Sequence, residues 1–365
     1  MVMNSFMLLL LTSLLSSLSM AATSLNSLYL GAEQLGRGNA GLISASGADA
    51  LFYNPALVAP RSTEKQGEVV IIAPTVVVST KLPDTISDFK GTDTAKIVAG
   101  LKNIMGQNRH ASISNFGGYI AKNWSVGLLE SLFLNLTAYK KIEAAGLEAV
   151  RINVYQNIGL VGGYHHPLPG GVELGISPKI ISRTQYFLDK DLSQLLDIQS
   201  IIKDPSSLKN NGIGYGANIG ASYKLPVSQV ESSVALTIDD LGGTKFKAAK
   251  TVTSDQPLDS LKQTVNLGGS ASYRLGYPLT AELNIRDLLK NDETNLFLRT
   301  HMGLNYLLWD VLGLSTGLNQ GYGSAGLYYQ GSALRLYAGM YTQEAGTLPG
   351  KTPDTRYYFK VETAW

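Results

Sequence analysis

The stretch Thr355–Trp365 reads TRYYFKVETAW. Thr355, Tyr357, Phe359, Val361, Thr363 and Trp365 fall on one side of an extended chain, and Arg356, Tyr358, Lys360, Glu362 and Ala364 on the other. A period of two is the signature of a β-strand, here with an apolar face and a charged face. An alternating strand that stops at an aromatic residue is expected of a bacterial outer-membrane β-barrel. There the last strand closes the wall, and an aromatic such as Trp365 sits at the membrane interface.

The same alternation recurs upstream. Val150, Ile152, Val154, Ile158 and Leu160 interleave with Arg151, Asn153, Tyr155 and Asn157, and Leu334, Leu336, Ala338 and Met340 with Arg335, Tyr337, Gly339 and Tyr341. Read this way, the chain has strands near 68–80, 110–121, 124–139, 149–165, 171–187, 212–225, 229–239, 263–275, 279–288, 295–308, 311–320, 322–330, 333–343 and 355–365. The expected fold is therefore an all-β membrane protein, an antiparallel transmembrane barrel of about 14 strands, each of the length a tilted membrane strand needs. The connections agree. Lys122-Asn123, His166–Gly170, Pro226–Ser228, Gly276–Pro278, Asp310 and Gly331-Ser332 are short and fall on one side. Those near 81–109, 140–148, 188–211, 240–262, 289–294 and 344–354 are longer and fall on the other, with a tight turn at Gly321 as the exception. Short periplasmic turns against longer outer loops are expected of such barrels, whereas a soluble sandwich gives no reason for them.

Composition narrows the function classes. The net charge is only +2 and no basic tract is present, so no nucleic-acid partner is expected. The absence of cysteine excludes thiolate metal sites, cysteine catalysis and disulfides. The adjacent His165 and His166 point to opposite strand faces, so they do not share a metal, and neither a metal site nor a cofactor is expected. His301 and Ser315 fall on nearby strands without an orienting third group, so an enzyme is not expected either. Residues Phe6–Leu18 form an apolar run followed by Ser19-Met20-Ala21, which reads as a secretory signal over 1–21, although no Lys or Arg precedes the run.

Between this signal and the first strand lies a segment of another kind. Gly31–Ala59, GAEQLGRGNAGLISASGADALFYNPALVA, is rich in Gly and Ala and lacks strand alternation. Its Gly36, Gly38 and Ala40, then Asp49-Ala50, then Asn54-Pro55-Ala56 resemble the FadL family of outer-membrane hydrophobe transporters and the related PorV-type barrels. The resemblance implies that residues 22–66 form a plug or hatch inside a barrel built from 67–365. Small residues let a plug backbone approach the wall. Asn54 is suited to satisfy buried backbone groups at a turn whose direction Pro55 sets. Asp49 is suited to pair with a lumen arginine such as Arg151, Arg286, Arg299 or Arg335. Gly36, Gly38, Ala40 and Pro55 also read as plain turn geometry, and Asp49 and Asn54 as plain caps.

Two outer loops carry apolar residues at helical spacing, among them Phe89, Ile97 and Leu101 in the first and Leu192, Leu195 and Leu196 in the second. These faces either pack on the barrel rim or form an entrance for an amphiphilic ligand. Pro178 interrupts a strand and is the expected place for a kink or lateral gap, since proline donates nothing to a ladder. The function these features suggest is passive uptake of hydrophobic or amphiphilic, fatty-acid-like small molecules across the bacterial outer membrane. Membrane lipid, such a ligand, and barrel-assembly machinery at the C-terminal strand are the expected partners. A PorV-like partner for secreted cargo and a structural barrel without transport are the alternatives.

Overall fold

A computed structural model describes residues 28–61, 66–88, 99–100, 102–140, 148–191, 208–227, 230–248, 258–291 and 295–365. Residues 1–21, read above as a signal, and the loop residues Phe89, Ile97, Leu101, Leu192, Leu195 and Leu196 lie outside the described residues.

The strands in chain order are β1 (Gly67–Ile72), β2 (Thr75–Ser79), β3 (Asn108–Ala121), β4 (Trp124–Lys140), β5 (Glu148–Leu168), β6 (Val172–Asp191), β7 (Lys209–Leu225), β8 (Glu231–Asp239) and β9 (Phe246–Ala248). They continue with β10 (Thr264–Leu275), β11 (Tyr277–Ile285), β12 (Thr300–Leu308), β13 (Leu312–Asn319), β14 (Tyr322–Gln330), β15 (Leu334–Glu344) and β16 (Pro353–Ala364). All neighbours are antiparallel. β1 and β2 share one wall position between β16 and β3, and β8 and β9 both pair with β7, so the wall is a closed barrel of 14 strands. Closure follows from the solvent: in hydrocarbon no water satisfies an open sheet edge. The pairing of β16 with β1 and β2 removes the last edge, and Val69 and Trp365 exchange both backbone bonds at 2.9 Å.

Alternation fixes which side chains face out. On β4, Trp124, Val126, Leu128 and Leu132 are exposed, whereas Ser125, Leu129, Ser131, Phe133 and Asn135 are buried. On β16, Tyr357 and Phe359 face outward, while Arg356 and Lys360 point into the lumen and are 0% exposed. Tyr119, Trp124, Tyr164, Tyr273, Tyr306, Trp309, Tyr329 and Trp365 lie at the strand ends joined by short turns and form an aromatic girdle there. Among the described residues no helix is long and apolar enough to cross a membrane.

The connections show why the hairpins close. Trp309 and Asp310 both adopt positive φ between β12 and β13, as do Gln320 and Gly321 between β13 and β14. Two successive positive φ values match the right-handed twist of the strands they join. The strand ends joined by the long connections lie at the opposite end of the barrel, and the described part of the first connection is helical, α3 (Leu82–Asp88), following the two plug helices described below.

Three details depart from the sequence expectation. β11 ends at Ile285 because Asp287 takes a positive φ, and the segment before β12 forms a helical turn, α4 (Leu296–Arg299), capped by the Asn295 side chain. The short β9 lies within what reads as an outer loop. The β5–β6 ladder does drop two pairs at Pro178, Gly162 with Pro178 and Gly163 with Ser177, but the longer interruption is in the first wall strand, which leaves the β3 ladder from Ile71 to Pro74. β6 passes Pro178 with its register to β5 unchanged, Val161 opposite Lys179 and Tyr164 opposite Ile176, and Pro178 pairs with Ala217 of β7. The proline ring fits over Gly162, where even an added Cβ would meet its Cγ only at 3.7 Å.

An arginine in place of Leu304, at the middle of the outward face of β12, is expected to destabilise the barrel by about 2–4 kcal/mol. Urea unfolding in lipid vesicles, followed by gel mobility of the folded form, measures this.

Candidate functional site

Residues 28–61 fold inside the barrel. They contain α1 (Ala32–Gly36), a 3-10 turn at Gly47–Asp49, α2 (Ala50–Tyr53) and a second 3-10 turn at Pro55–Leu57. None of these pieces is long enough to be stable alone. Contact with the wall holds them. Gly38 has φ +67, and a Cβ there would meet the Met302 carbonyl oxygen at 2.4 Å and that of Leu318 at 2.5 Å. A Cβ on Gly36 would meet Ser315 Oγ at 2.4 Å and the Tyr358 hydroxyl at 2.5 Å. The wall reciprocates: a Cβ on Gly220 would lie 2.0 Å from Asn54 Oδ1, and one on Gly175 2.2 Å from the Pro55 carbonyl. Ala40 and Ala56 are fully buried. The small residues of both partners are thus required by close approach.

Asn54 does what its position in the turn suggests. It donates through Nδ2 to the Leu42 carbonyl at 2.7 Å and accepts at Oδ1 from the Ala56 N–H at 3.1 Å, capping the turn that begins at Pro55. Asp49 is also fully buried, but its partners differ from the expected lumen arginines. It accepts from Arg61 Nη2 at 2.9 Å, from Lys360 Nζ at 3.3 Å and from the Tyr29 hydroxyl at 2.7 Å. Of the four expected arginines, Arg335 reaches the same network, through Glu362 and Glu68. Arg151 instead pairs with Asp189 at 2.7 Å, Arg286 donates to the Asn39 carbonyl at 2.6 Å and Arg299 to the Asp287 carbonyl at 2.9 Å.

These pairs form one buried lattice. Arg61 also binds Glu33 at 2.9 Å and approaches Glu362 at 3.7 Å, Lys360 binds Glu362 at 2.8 Å, and Arg37 pairs with Glu33. Arg37, Arg61, Arg335 and Lys360 balance Glu33, Asp49, Glu68 and Glu362, so the lattice is formally neutral. Every one of these side chains is at most 7% exposed. Burial alone would lower the Arg61 guanidinium, but Tyr337, Glu362, Asp49 and Glu33 together raise it well above its ordinary value. Burial, then Asp49, raises the Tyr29 hydroxyl, so it stays a donor. The lattice ties the plug to β1, β15 and the closing strand β16.

Above the plug, a cavity of about 190 Å³ is bordered by plug residues Tyr29, Asn39, Leu42, Phe52 and Tyr53 and by wall residues that include Lys179, Asp239, Asp240, Arg286 and His301. His301 Nδ1 lies 3.0 Å from the Gly38 carbonyl, so this histidine seats the plug. Burial pushes the Tyr53 hydroxyl up to about 12, and it donates to Asn39 Oδ1 at 2.7 Å. A short stretch before β10 folds into the lumen beside this cavity. Asp259 accepts from Tyr155 and from Gln185 Nε2 at 3.0 Å, Arg183 donates to its carbonyl at 2.6 Å, and Leu261 bridges to Thr244.

The plug also packs on an apolar patch of the wall. Tyr29, Leu51 and Phe52 of the plug pack with Val70, Ala73, Phe116 and Leu129 of the wall. This cluster lies behind the break in the first wall strand. Pairing with β16 slips by one residue between Val70 and Ile72. The β3 ladder ends at Val70 opposite Gly118 and resumes at Thr75 opposite Ser114, leaving Asn115, Phe116 and Gly117 out of the ladder. Pro74 has no N–H to donate, and the Ala73 N–H is taken by Asn115 Oδ1 at 2.9 Å. On the membrane side, a groove of about 390 Å³ lies over the break, lined by Val69, Ile71, Asn115, Gly117, Tyr119, Leu128 and Glu130.

No protein-family model matches the chain, and no curated protein matches it in sequence. The fold is shared with solved channels. A deltaS2S3 mutant of the TodX monoaromatic hydrocarbon channel superposes with a TM-score of 0.52 at 12% identity, covering 92% of this chain and 98% of that one. The Ralstonia pickettii toluene transporter TbuX gives 0.52 at 10% identity over 93% and 99%. The CymD monoaromatic hydrocarbon channel gives 0.52 at 11% identity over 93% and 98%. The barrel has the fold of FadL-family hydrophobic-compound channels.

Replacing Lys360 by Met leaves Asp49 and Glu362 short of a buried cation and is expected to cost about 3–5 kcal/mol, read from the urea midpoint of the folded barrel. Asn54→Ala strands the Leu42 carbonyl and is expected to cost about 1–3 kcal/mol in the same assay.

Proposed function

We propose that the protein is a bacterial outer-membrane channel for the passive uptake of hydrophobic or amphiphilic small molecules, fatty-acid-like ones included. One observation carries this reading: the wall is interrupted at Ala73-Pro74, between an apolar patch of the lumen and a groove facing the membrane. A hydrophobe leaving the lumen there exchanges one apolar surface for another and never meets water, so burial favours the path throughout. The plug blocks the axial route, because moving it breaks a lattice of buried ion pairs. The channel spends no energy, and flux follows the concentration gradient. The roles of Gly36, Gly38, Ala40, Asp49, Asn54 and Pro55 in this reading are to seat the plug and so to direct traffic sideways, while the loops that carry Phe89, Ile97, Leu101, Leu192, Leu195 and Leu196 supply the entrance.

The channels that share this fold are named for monoaromatic hydrocarbons and toluene, which makes toluene the first probe and a fatty acid such as oleate the second. The buried lattice favours a second reading, a structural barrel whose plug never opens a path. Uptake of deuterated toluene and oleate into vesicles with and without the inserted barrel separates the two. The channel reading expects barrel-dependent uptake that falls severalfold in an Ala73→Leu variant, which fills the inner side of the break. Uptake equal to that of empty vesicles for both probes rejects the channel reading.

A further inference from the structure

The outward row of β4 reads Trp124, Val126, Leu128, Glu130, Leu132, and its apolar members are exposed to the membrane. Glu130 is exposed in the same row. From the girdle residue Trp124 to Glu130 the chain climbs roughly 20 Å along the strand and roughly 15 Å along the membrane normal, given the usual rise and tilt. Glu130 therefore stands near the middle of an apolar band about 25 Å tall. An ionisable group there is costly, and such groups mark functional sites. Among the described residues, no hydrogen bond or ion pair reaches this carboxyl.

Its neighbours give it a purpose. Glu130 borders the groove over the wall break, and its register partner on β3 is Asn115. Side chains directly opposite across an antiparallel pair have Cβ atoms about 4.5–5.5 Å apart. Asn115 already uses its Oδ1 for the Ala73 N–H, so what it has left to offer is its Nδ2 donor. Glu130 offers an acceptor. The rest of the groove is apolar or aromatic: Val69, Ile71, Gly117, Tyr119 and Leu128. The groove, about 390 Å³, is of the size that holds small molecules.

We propose that this groove binds a hydrophobe bearing a hydroxyl group, a long-chain primary alcohol, with its chain along Val69, Ile71 and Leu128 and its head between Asn115 and Glu130. One hydroxyl donates to Glu130 and accepts from Asn115 Nδ2, which satisfies both side chains at once. A plain hydrocarbon satisfies neither, and an ammonium group has no lone pair for Asn115. The site lies outside the lumen, on the bilayer face. It deepens the channel reading, on which it rests for the direction of traffic: the wall break would release hydroxylated hydrophobes in preference to hydrocarbons of equal length.

The test uses the full barrel in detergent, incubated with an equimolar mixture of 1-dodecanol and n-dodecane, re-isolated by gel filtration and extracted for gas chromatography with mass spectrometry. The wild type is expected to retain dodecanol at least tenfold over dodecane. Glu130→Leu, which places an apolar side chain on an apolar face and so leaves folding intact, is expected to abolish that preference while dodecane retention stays the same. Val69→Trp fills the groove and is expected to lose both probes, with gel mobility confirming that it is folded. Equal retention of the two probes by the wild type, or an alcohol preference that survives in Glu130→Leu, overturns the proposal. Vesicle uptake of both probes is measured in parallel. Selective retention without uptake rejects the channel reading and leaves the site, whereas uptake without selective retention rejects the site and leaves the channel.

Discussion

The structure depends on the contact between Asp49 and Lys360, which joins a plug with no stability of its own to the strand that closes the wall. Neither charge is tolerable alone at this depth of burial. Asp49 is matched by Arg61 and Lys360, and Lys360 by Asp49 and Glu362. Through Arg61 the pairing extends to Glu33 and Arg37 of the plug, and through Glu362 to Arg335 and Glu68 of the wall. Removing any member strands its partners, so plug and barrel hold each other. The lattice does not drive folding by its Coulomb energy, since desolvating the charges offsets most of it. Its effect is specificity: a single seat for the plug, reinforced where Gly36, Gly38, Gly175 and Gly220 let backbones meet at distances that exclude a Cβ.

A plug seated this firmly makes the asymmetry of the lumen informative. Lys179, Asp240, Arg286 and His301 border a polar cavity, and Phe116, Leu129, Val70 and Ala73 form an apolar patch, with Tyr29 and Phe52 of the plug reaching both. The break in the wall lies behind the apolar patch, with the buried Glu68 and Lys360 on the strands that flank it. A broken ladder exposes unsatisfied backbone groups to lipid, at several kcal/mol each. Here Asn115 takes the freed Ala73 N–H, Pro74 has none to free, and the Pro74 carbonyl accepts from Val361 at 3.2 Å. These contacts offset part of the hydrogen bonding that the defect removes.

The contrast between Pro74 and Pro178 shows how context decides what a proline does. Both interrupt a strand and neither can donate. Pro178 faces Gly162, which leaves room for the ring, and β6 keeps its register on both sides. Ahead of Pro74 the first wall strand slips by one residue against β16, between Val70 and Ile72, and it leaves the β3 ladder from Ile71 to Pro74, although its register to β16 then runs unchanged across Pro74. The ring alone does not set the outcome. The residues across the ladder do.

The barrel was legible in the chain because membrane strands obey a local rule. Alternation with period two and the turn residues between strands depend only on neighbours in sequence, so the number of wall strands, the lumen-facing charges of β16 and the alternation of short and long connections were all readable, as was the turn at Asn54-Pro55. The partner of Asp49 was not. Pairing inside the lumen joins residues hundreds of positions apart, and alternation says that Arg335 and Lys360 point inward without saying which of the inward charges they meet. Glu130 is the converse case. Its place in an apolar row is visible in the sequence, but its nearness to Asn115 and to a break in the wall comes from the register of three strands. The sequence by itself determined which faces are wet and which are greasy, because that is settled one strand at a time. Only the tertiary structure decided where the ladder of the wall is interrupted and what holds the plug, because both depend on which strands closure brings side by side.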